Sequence, residues 1–429
     1  MIRRAPYILR GLSCAVFLYN KWGNACWLCL KIDNRYFCKA IWERVDLVKK
    51  ERIPELDIYR GILISAVITI HATSMALIDA RHSLLFYPFL FLNMFSSFAV
   101  PVFIFVSGFV LFYNYVDRPL RGKSMLLFFR KRLMFIVLPY VLFSLMYYLT
   151  LVTRGLMPLS DLPLVLLTGK AYTHLYYVII IIQFYLVFPL LLWGVQRLRH
   201  WLSSPRRAAF VILTVGLVIQ WGFVLLNKYV WQEERGSLAI TYISYFALGA
   251  AVAIGYEGFK KWLFPVPGTV IGRGRLISWW ALWATWLLLG VVYVQVWFVA
   301  YRKAIYADSL VYELLHNAYA LVSALVLFQL SVFLYRHTSD RLRMFISWLG
   351  ACSFGIYLLH PALLRVYRKL DLHGTPIEYV FSVAGGWVLA LFGTWLIVTL
   401  FFRYVPFSWI GLGTVPKFPS QSKDEQANY

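Results

Sequence analysis

The chain has 429 residues, 61% hydrophobic and only 14% charged, with a mean hydropathy of +0.68. That balance excludes an ordinary soluble enzyme and predicts a polytopic membrane protein. A formal charge of +23 and a pI near 9.8 are compatible with nucleic acid as a partner, but the basic residues are dispersed in short loops between apolar segments, so they read as topology signals and anionic-lipid contacts.

Taken in chain order, residues 1–50 form an atypical basic extension rich in Trp and Tyr, its apolar stretches interrupted by Lys21, Asn24 and Lys31. It carries no clean signal-peptide core with a small-residue cleavage site. The expectation is that residues 1 to about 47 are an upstream extension and not native: the segment from Val48, Lys-Lys-Glu-Arg-Ile-Pro-Glu-Leu-Asp, reads like a natural start, and no Met falls between Met1 and Met75. Four of five cysteines (Cys14, Cys26, Cys29, Cys38) lie in this leader, and only Cys352 is in the apolar body. Cys26-x-x-Cys29 has no second pair to complete a metal or redox site, so no metal is expected.

Ten stretches are apolar enough to span a bilayer: roughly 58–78, 94–115, 133–153, 174–194, 207–227, 238–256, 277–299, 311–334, 345–364 and 379–402. The predicted fold is therefore all-α, a membrane bundle over residues 51–405 with a short polar tail, 406–429. Basic residues concentrate in the even-numbered loops: Arg118, Arg121, Lys123, Arg130, Lys131 and Arg132 in the second, Arg197, Arg199, Arg206 and Arg207 in the fourth, Lys260, Lys261, Arg273 and Arg275 in the sixth, Arg336, Arg341 and Arg343 in the eighth. By the positive-inside bias these loops and both termini are cytoplasmic, in the plasma membrane of the cell. The ninth loop, with Arg365, Arg368 and Lys369, runs against the alternation. The 17 Trp and 29 Tyr read first as interfacial belts.

Within the first span, Arg60 and His71 are eleven residues apart. On an α-helix eleven steps sum to about 1100°, roughly 20° past three turns, with a rise of about 16 Å. The two side chains therefore share a face, Arg60 near one interface and His71 near mid-depth. An ionisable residue inside a membrane is costly and faces a cavity or a partner helix, which makes His71 a functional candidate.

These residues also resemble a known family. Glu55-Leu-Asp-Ile-Tyr-Arg60-Gly, followed after ten intervening residues by His71, is similar to the Arg-x10-His signature of the integral-membrane acyltransferase-3 family. Asn93 to Gly108-Phe resembles that family's second span, Phe128-Phe-Arg-Lys-Arg-Leu with Pro139-Tyr140 its third, His174-Leu-Tyr-Tyr with Gln183-Phe-Tyr its fourth, and Ser353-Phe-Gly-Ile-Tyr-Leu-Leu-His360-Pro its ninth. The resemblance covers about residues 52 to 405. It implies a ten-helix enzyme that takes an acyl group, usually acetyl, from cytoplasmic acyl-CoA and transfers it to a hydroxyl of a glycan, a lipid-linked glycan or another acceptor at the membrane, with acyl-CoA as substrate and no tightly bound cofactor. Some members carry an extra extracytoplasmic hydrolase-like domain; none is expected here, so acceptor acylation is expected to finish within the membrane domain or with a separate partner. A second arginine three residues after Arg132, present in one form of the family pattern, is replaced here by Phe135.

The chemistry follows from the residues. A hydroxyl attacking a thioester needs its proton removed, and a neutral imidazole in a partly dehydrated groove suits that role. His71 as an acyl-carrying nucleophile is the alternative. Arg60 is placed to bind CoA phosphate, Asp57 to hold Arg60 as an i,i+3 partner, and Arg130, Lys131 and Arg132 to add to the anionic-donor site. His174 and His360 stand at span ends, where packing or interface placement explains them. The rival function is a glycan transporter or exporter on the same helical frame, with Arg60 and His71 lining its path. The acyltransferase reading predicts a polar cavity running from Arg60 to His71.

Overall fold

The computed structural model describes residues 15–19, 25–29, 50–118, 122–263, 272–370 and 375–416. The chain divides into two units, Met1–Glu51 and Arg52–Tyr429. In the first, β1 (Ala15–Tyr19) and β2 (Ala25–Cys29) form an antiparallel pair in which Ala15 is opposite Cys29 and Tyr19 opposite Ala25. The remainder of the leader, the Val48 start and the tail beyond Pro416 lie outside the described residues.

The second unit is helical throughout its described residues. Its spans, in chain order, are α1 (Glu55–Thr73), α2 (Phe86–Tyr115), α3 (Lys123–Val152), α4 (Tyr176–Leu202), α5 (Pro205–Trp231), a bent pair α6 (Ala239–Ile254) and α7 (Tyr256–Leu263), α8 (Arg273–Lys303), α9 (Ser309–His337), a second bent pair α10 (Asp340–Ala351) and α11 (Ser353–Leu370), and α12 (Pro376–Tyr404). Among the described residues eight helices are long and apolar enough to cross a membrane alone, and the number rises to as many as ten if each bent pair, turned by 83° and 74°, counts as one span. Each expected span is matched by a helix or a bent pair; the break between α6 and α7 falls at the end of the sixth expected span, whereas that between α10 and α11 falls inside the ninth.

The break in the ninth span follows from a close helix crossing. A Cβ on Gly350 would lie 1.7 Å from the Asp57 carbonyl oxygen, and one on Gly61 would lie 2.9 Å from that of Ile346, so α1 and α10 meet backbone to backbone. Small residues permit such contact between membrane helices. Beyond it the chain turns at Cys352 and sends α11 away from the α10 axis, carrying His360 with it.

The first span also differs from expectation. α1 stops at Thr73, which places His71 in its last turn and not midway along the span. The terminal carbonyls that a helix leaves unsatisfied are taken up by side chains. Asn93 Nδ2 donates to Ile70 O at 2.8 Å and to Thr73 Oγ1 at 2.9 Å, and Arg368 Nη2 donates to His71 O at 2.6 Å. Arg365 Nη1, on α11, donates to Thr150 Oγ1 at 3.3 Å. The two arginines of the ninth loop thus hold helix ends together, which accounts for their departure from the basic-loop alternation.

Candidate active site

Two features lie along the Arg60–His71 face of α1. The first is a cavity of about 270 Å3, lined by Arg60, Ser107, Arg132, Tyr177, Tyr185 and Tyr357 among others. Arg60 Nη1 donates to Asp57 Oδ1 at 3.2 Å, while Arg52 Nη2 donates to Asp57 Oδ2 at 2.6 Å. Buried Asp57 therefore anchors two guanidinium groups, and charge-assisted bonds of this kind restrain the fork's direction. Arg132 reaches the cavity with its guanidinium over the Tyr185 ring, 5.3 Å from the centroid.

Local backbone geometry sets that placement. Pro139 has no N–H to continue the helical ladder, and the preceding segment of α3 widens into a π-bulge over Leu133–Val137. Phe135 and Ile136, both in the bulge, line the cavity beside Arg132. Arg130 and Lys131 are exposed, and neither is in the lining. Two residues along a helix turn a side chain by about 200°, so Arg130 and Arg132, expected together in the donor site, face different ways.

The second feature is a cluster of three histidines. The His71 ring is 5.1 Å from that of His360 and 6.3 Å from that of His174, and His174 and His360 are 5.6 Å apart, centroid to centroid. His174 and His360 are sealed in the bundle, and His71 is half-buried. His360 Nδ1 lies 3.1 Å from Ile356 O. A carbonyl only accepts, so Nδ1 carries the proton there and Nε2 of the neutral ring is left as an acceptor. Among the described residues, that Nε2 and both ring nitrogens of His174 are buried without a hydrogen-bond partner. Buried polar atoms are nearly always paired, and three unpartnered nitrogens on two adjacent imidazole rings suit a polar guest. Tyr147 and Tyr172 wall the cluster, each with its ring within 6 Å of His174.

Sequence reasoning set His174 and His360 aside as span-end residues. Both belong to segments that resemble the family, but separate helix ends give no sign that they converge. No three His, Cys, Asp or Glu side chains among the described residues are placed to hold a metal ion.

The expected continuous cavity from Arg60 to His71 is not what the structure holds. Tyr177 and Tyr357, rings 5.4 Å apart, form part of the arginine cavity's wall, and His71 is not in its lining. Tyr357 donates its hydroxyl to the His174 carbonyl, and its ring lies 5.1 Å from the His174 ring and 6.1 Å from that of His360. One tyrosine is therefore the partition between the arginine cavity and the imidazole cluster.

Comparison with curated proteins and with solved structures gives no match. A family profile described as an acyltransferase domain matches residues 53–408, which include every residue of the cavity except Thr414 and all three histidines. The chain is accordingly a multi-pass membrane protein by the length and composition of its helices, and it belongs to the acyltransferase 3 family, whose membership implies acyl transfer as its activity.

Proposed function

We propose that the protein is a plasma-membrane O-acyltransferase that moves an acyl group, acetyl in the simplest case, from cytoplasmic acyl-CoA to a hydroxyl of a cell-surface glycan or its lipid-linked precursor. The observation that carries this reading is the arrangement along α1: Arg60 in an arginine-lined cavity and His71, about 16 Å further along the helix axis, in an imidazole cluster. Arg60 and Arg132 bind donor phosphate at the cavity, and a space of about 270 Å3 suits the narrow pantetheine arm. At the cluster, His71 removes the acceptor's hydroxyl proton as its oxygen bonds to the thioester carbonyl carbon. The C–S bond then breaks and CoA leaves as the thiol once its sulfur is protonated. His360, with Nε2 held as an acceptor, is placed to take part in moving that proton. An acyl-histidine route uses the same nitrogen of His71, first as nucleophile.

A glycan exporter on this frame needs Arg60 and His71 on one continuous path, and the thioester needs the Tyr177–Tyr357 partition to open before it reaches His71, so the two functions are separated by thioester consumption and not by the partition. Inside-out vesicles containing the protein, given acetyl-CoA with a radiolabelled acetyl group on their cytoplasmic face, test the proposal. The expected result is alkali-labile label in the glycan or lipid-linked glycan fraction with stoichiometric CoA release. Vesicles that translocate glycan while consuming no thioester above protein-free vesicles overturn it.

A further inference from the structure

A second cavity, of about 130 Å3, opens just past His71 at the end of α1 away from Arg60, and its lining includes Ala72, Asp79, Tyr367, Arg368, Tyr379 and Gly386. We infer that this cavity is the acceptor subsite and takes a single neutral, polyhydroxylated ring, a sugar residue, presenting its hydroxyl toward His71. The inference rests on the acyl-transfer reading and adds where the acceptor sits and what recognises it.

Proximity is the first support. Ala72 follows His71 in the chain, and Arg368 in the cavity wall is bonded to the His71 carbonyl at 2.6 Å. Leu364, also in the wall, is one helical turn after His360. The cavity therefore lies against the last turn of α1, next to His71 in the chain, with none of the three imidazoles in its lining.

The lining chemistry is the second. Tyr379 donates its hydroxyl to Asp79 Oδ2 at 2.9 Å, and among the described residues Asp79 Oδ1 accepts nothing. Arg368 uses only Nη2 on the end of α1, at His71 O, Ala72 O and Ser74 Oγ, which leaves Nη1 and Nε as donors without a protein partner among those residues. The two side chains make no ion pair with each other. A carboxylate acceptor and a guanidinium donor in one small cavity suit a ligand that both gives and takes hydrogen bonds. A cation is disfavoured by Arg368 and an anion by Asp79, so vicinal hydroxyls fit best.

Room for a ring is the third. Gly385 and Gly386 let the Tyr367 ring lie against α12: a Cβ on Gly386 would meet that ring at 3.2 Å, and one on Gly385 would meet its hydroxyl at 2.6 Å. Tyr367 and Tyr379 thereby supply flat apolar faces beside the charged pair. The volume equals that of about four waters in the liquid, enough for one edge of a sugar and not for a chain.

Saturation-transfer NMR on the full-length protein in nanodiscs, with methyl glucopyranoside, galactopyranoside and mannopyranoside as probes and methyl phosphate and tetramethylammonium as charged controls, decides the matter. We expect transfer to at least one glycoside and weaker or no transfer to the controls. Asp79→Ala should weaken glycoside binding about tenfold, the scale of one lost charged hydrogen bond. Asp79 is exposed, so this variant keeps the fold, and Tyr379→Phe provides a second, milder perturbation of the same carboxylate. No glycoside transfer to the wild type, equal affinity in wild type and Asp79→Ala, or preferential binding of a charged control overturns the subsite. Acetyl-CoA binding and turnover are followed in the same nanodiscs; if they are absent while glycoside binding persists, it is the acyl-transfer reading that fails.

Discussion

The ring of His360 lies 5.1 Å from that of His71, with its Nδ1 fixed on the Ile356 carbonyl and its Nε2 buried and unpartnered. The two histidines come from the end of the first span and from the second half of a broken one. Just before the turn into α11, Gly350 packs against the Asp57 backbone of the same first span. Among the described residues none of the three imidazoles is ion-paired with a carboxylate.

Removing the imidazole of His71 by His71→Ala should lower acyl transfer by about 10²–10⁴-fold, the usual contribution of a positioned base. Membrane insertion should be unchanged, because one half-buried side chain does not set topology. His360→Leu should also depress turnover while leaving donor binding intact. Expression-normalised acylation of the surface glycan is the readout, and near-native transfer by His71→Ala ends the catalytic assignment.

The arginine cavity makes a sharper prediction than charge alone. Arg132→Gln should raise the apparent donor KM about tenfold, a loss near 1.4 kcal/mol, whereas Arg130→Gln, altering an exposed residue outside the lining, should change it little. Arg60→Lys keeps the charge but loses the fork held by Asp57, and donor use should weaken accordingly. Steady-state kinetics with acetyl-CoA in nanodiscs give the comparison; equal effects of the Arg130 and Arg132 changes contradict the cavity assignment.

Much of this was legible in the chain. Apolar length alone located ten spans, and helical phase placed Arg60 and His71 on one face with Asp57 one turn away. What stayed hidden depends on contacts between distant segments. Nothing local to His174 or His360 shows that they converge on His71. The stop of α1 at Thr73 is set by Asn93 and Arg368, which come from other helices. The separation of Arg130 from Arg132 follows from helical phase, yet a run of three cations reads in sequence as one patch. Tyr357 as a partition required knowing where α11 turns.

The α1–α10 crossing predicts a selective stability effect. Gly350→Ala forces a Cβ into the Asp57 carbonyl, where backbone and not a flexible side chain must yield. Overpacking of this kind typically costs about 1–3 kcal/mol, with the rigid backbone contact pointing to the upper end. Gly258→Ala, in α7, meets nothing within 4 Å and should be nearly neutral. Thermal unfolding in detergent should separate the two; a Gly350→Ala protein as stable as wild type would show that the helices part easily and that the contact does not position Asp57.

The last prediction ties orientation to chemistry. Acyl-CoA is made in the cytoplasm, so the reading requires the Arg60 cavity to open there and the Asp79–Arg368 cavity to face the other side. The basic second loop runs directly into α3, which begins at Lys123, and Ser124 is exposed at that end. Leu84, 97% exposed, lies in the segment that joins α1 to α2 beyond His71. Introduced as single cysteines in a background lacking the native ones, Ser124→Cys should react with an impermeant maleimide only in inside-out vesicles, and Leu84→Cys only in intact cells. Donor then enters past Arg60 and travels inward along α1, and acceptor meets it from the opposite face, with His71 in the last turn between them. Labelling of Leu84→Cys from the cytoplasmic side would put the histidine end where acyl-CoA is made and reverse the assignment of the two cavities, even with all ten spans in place.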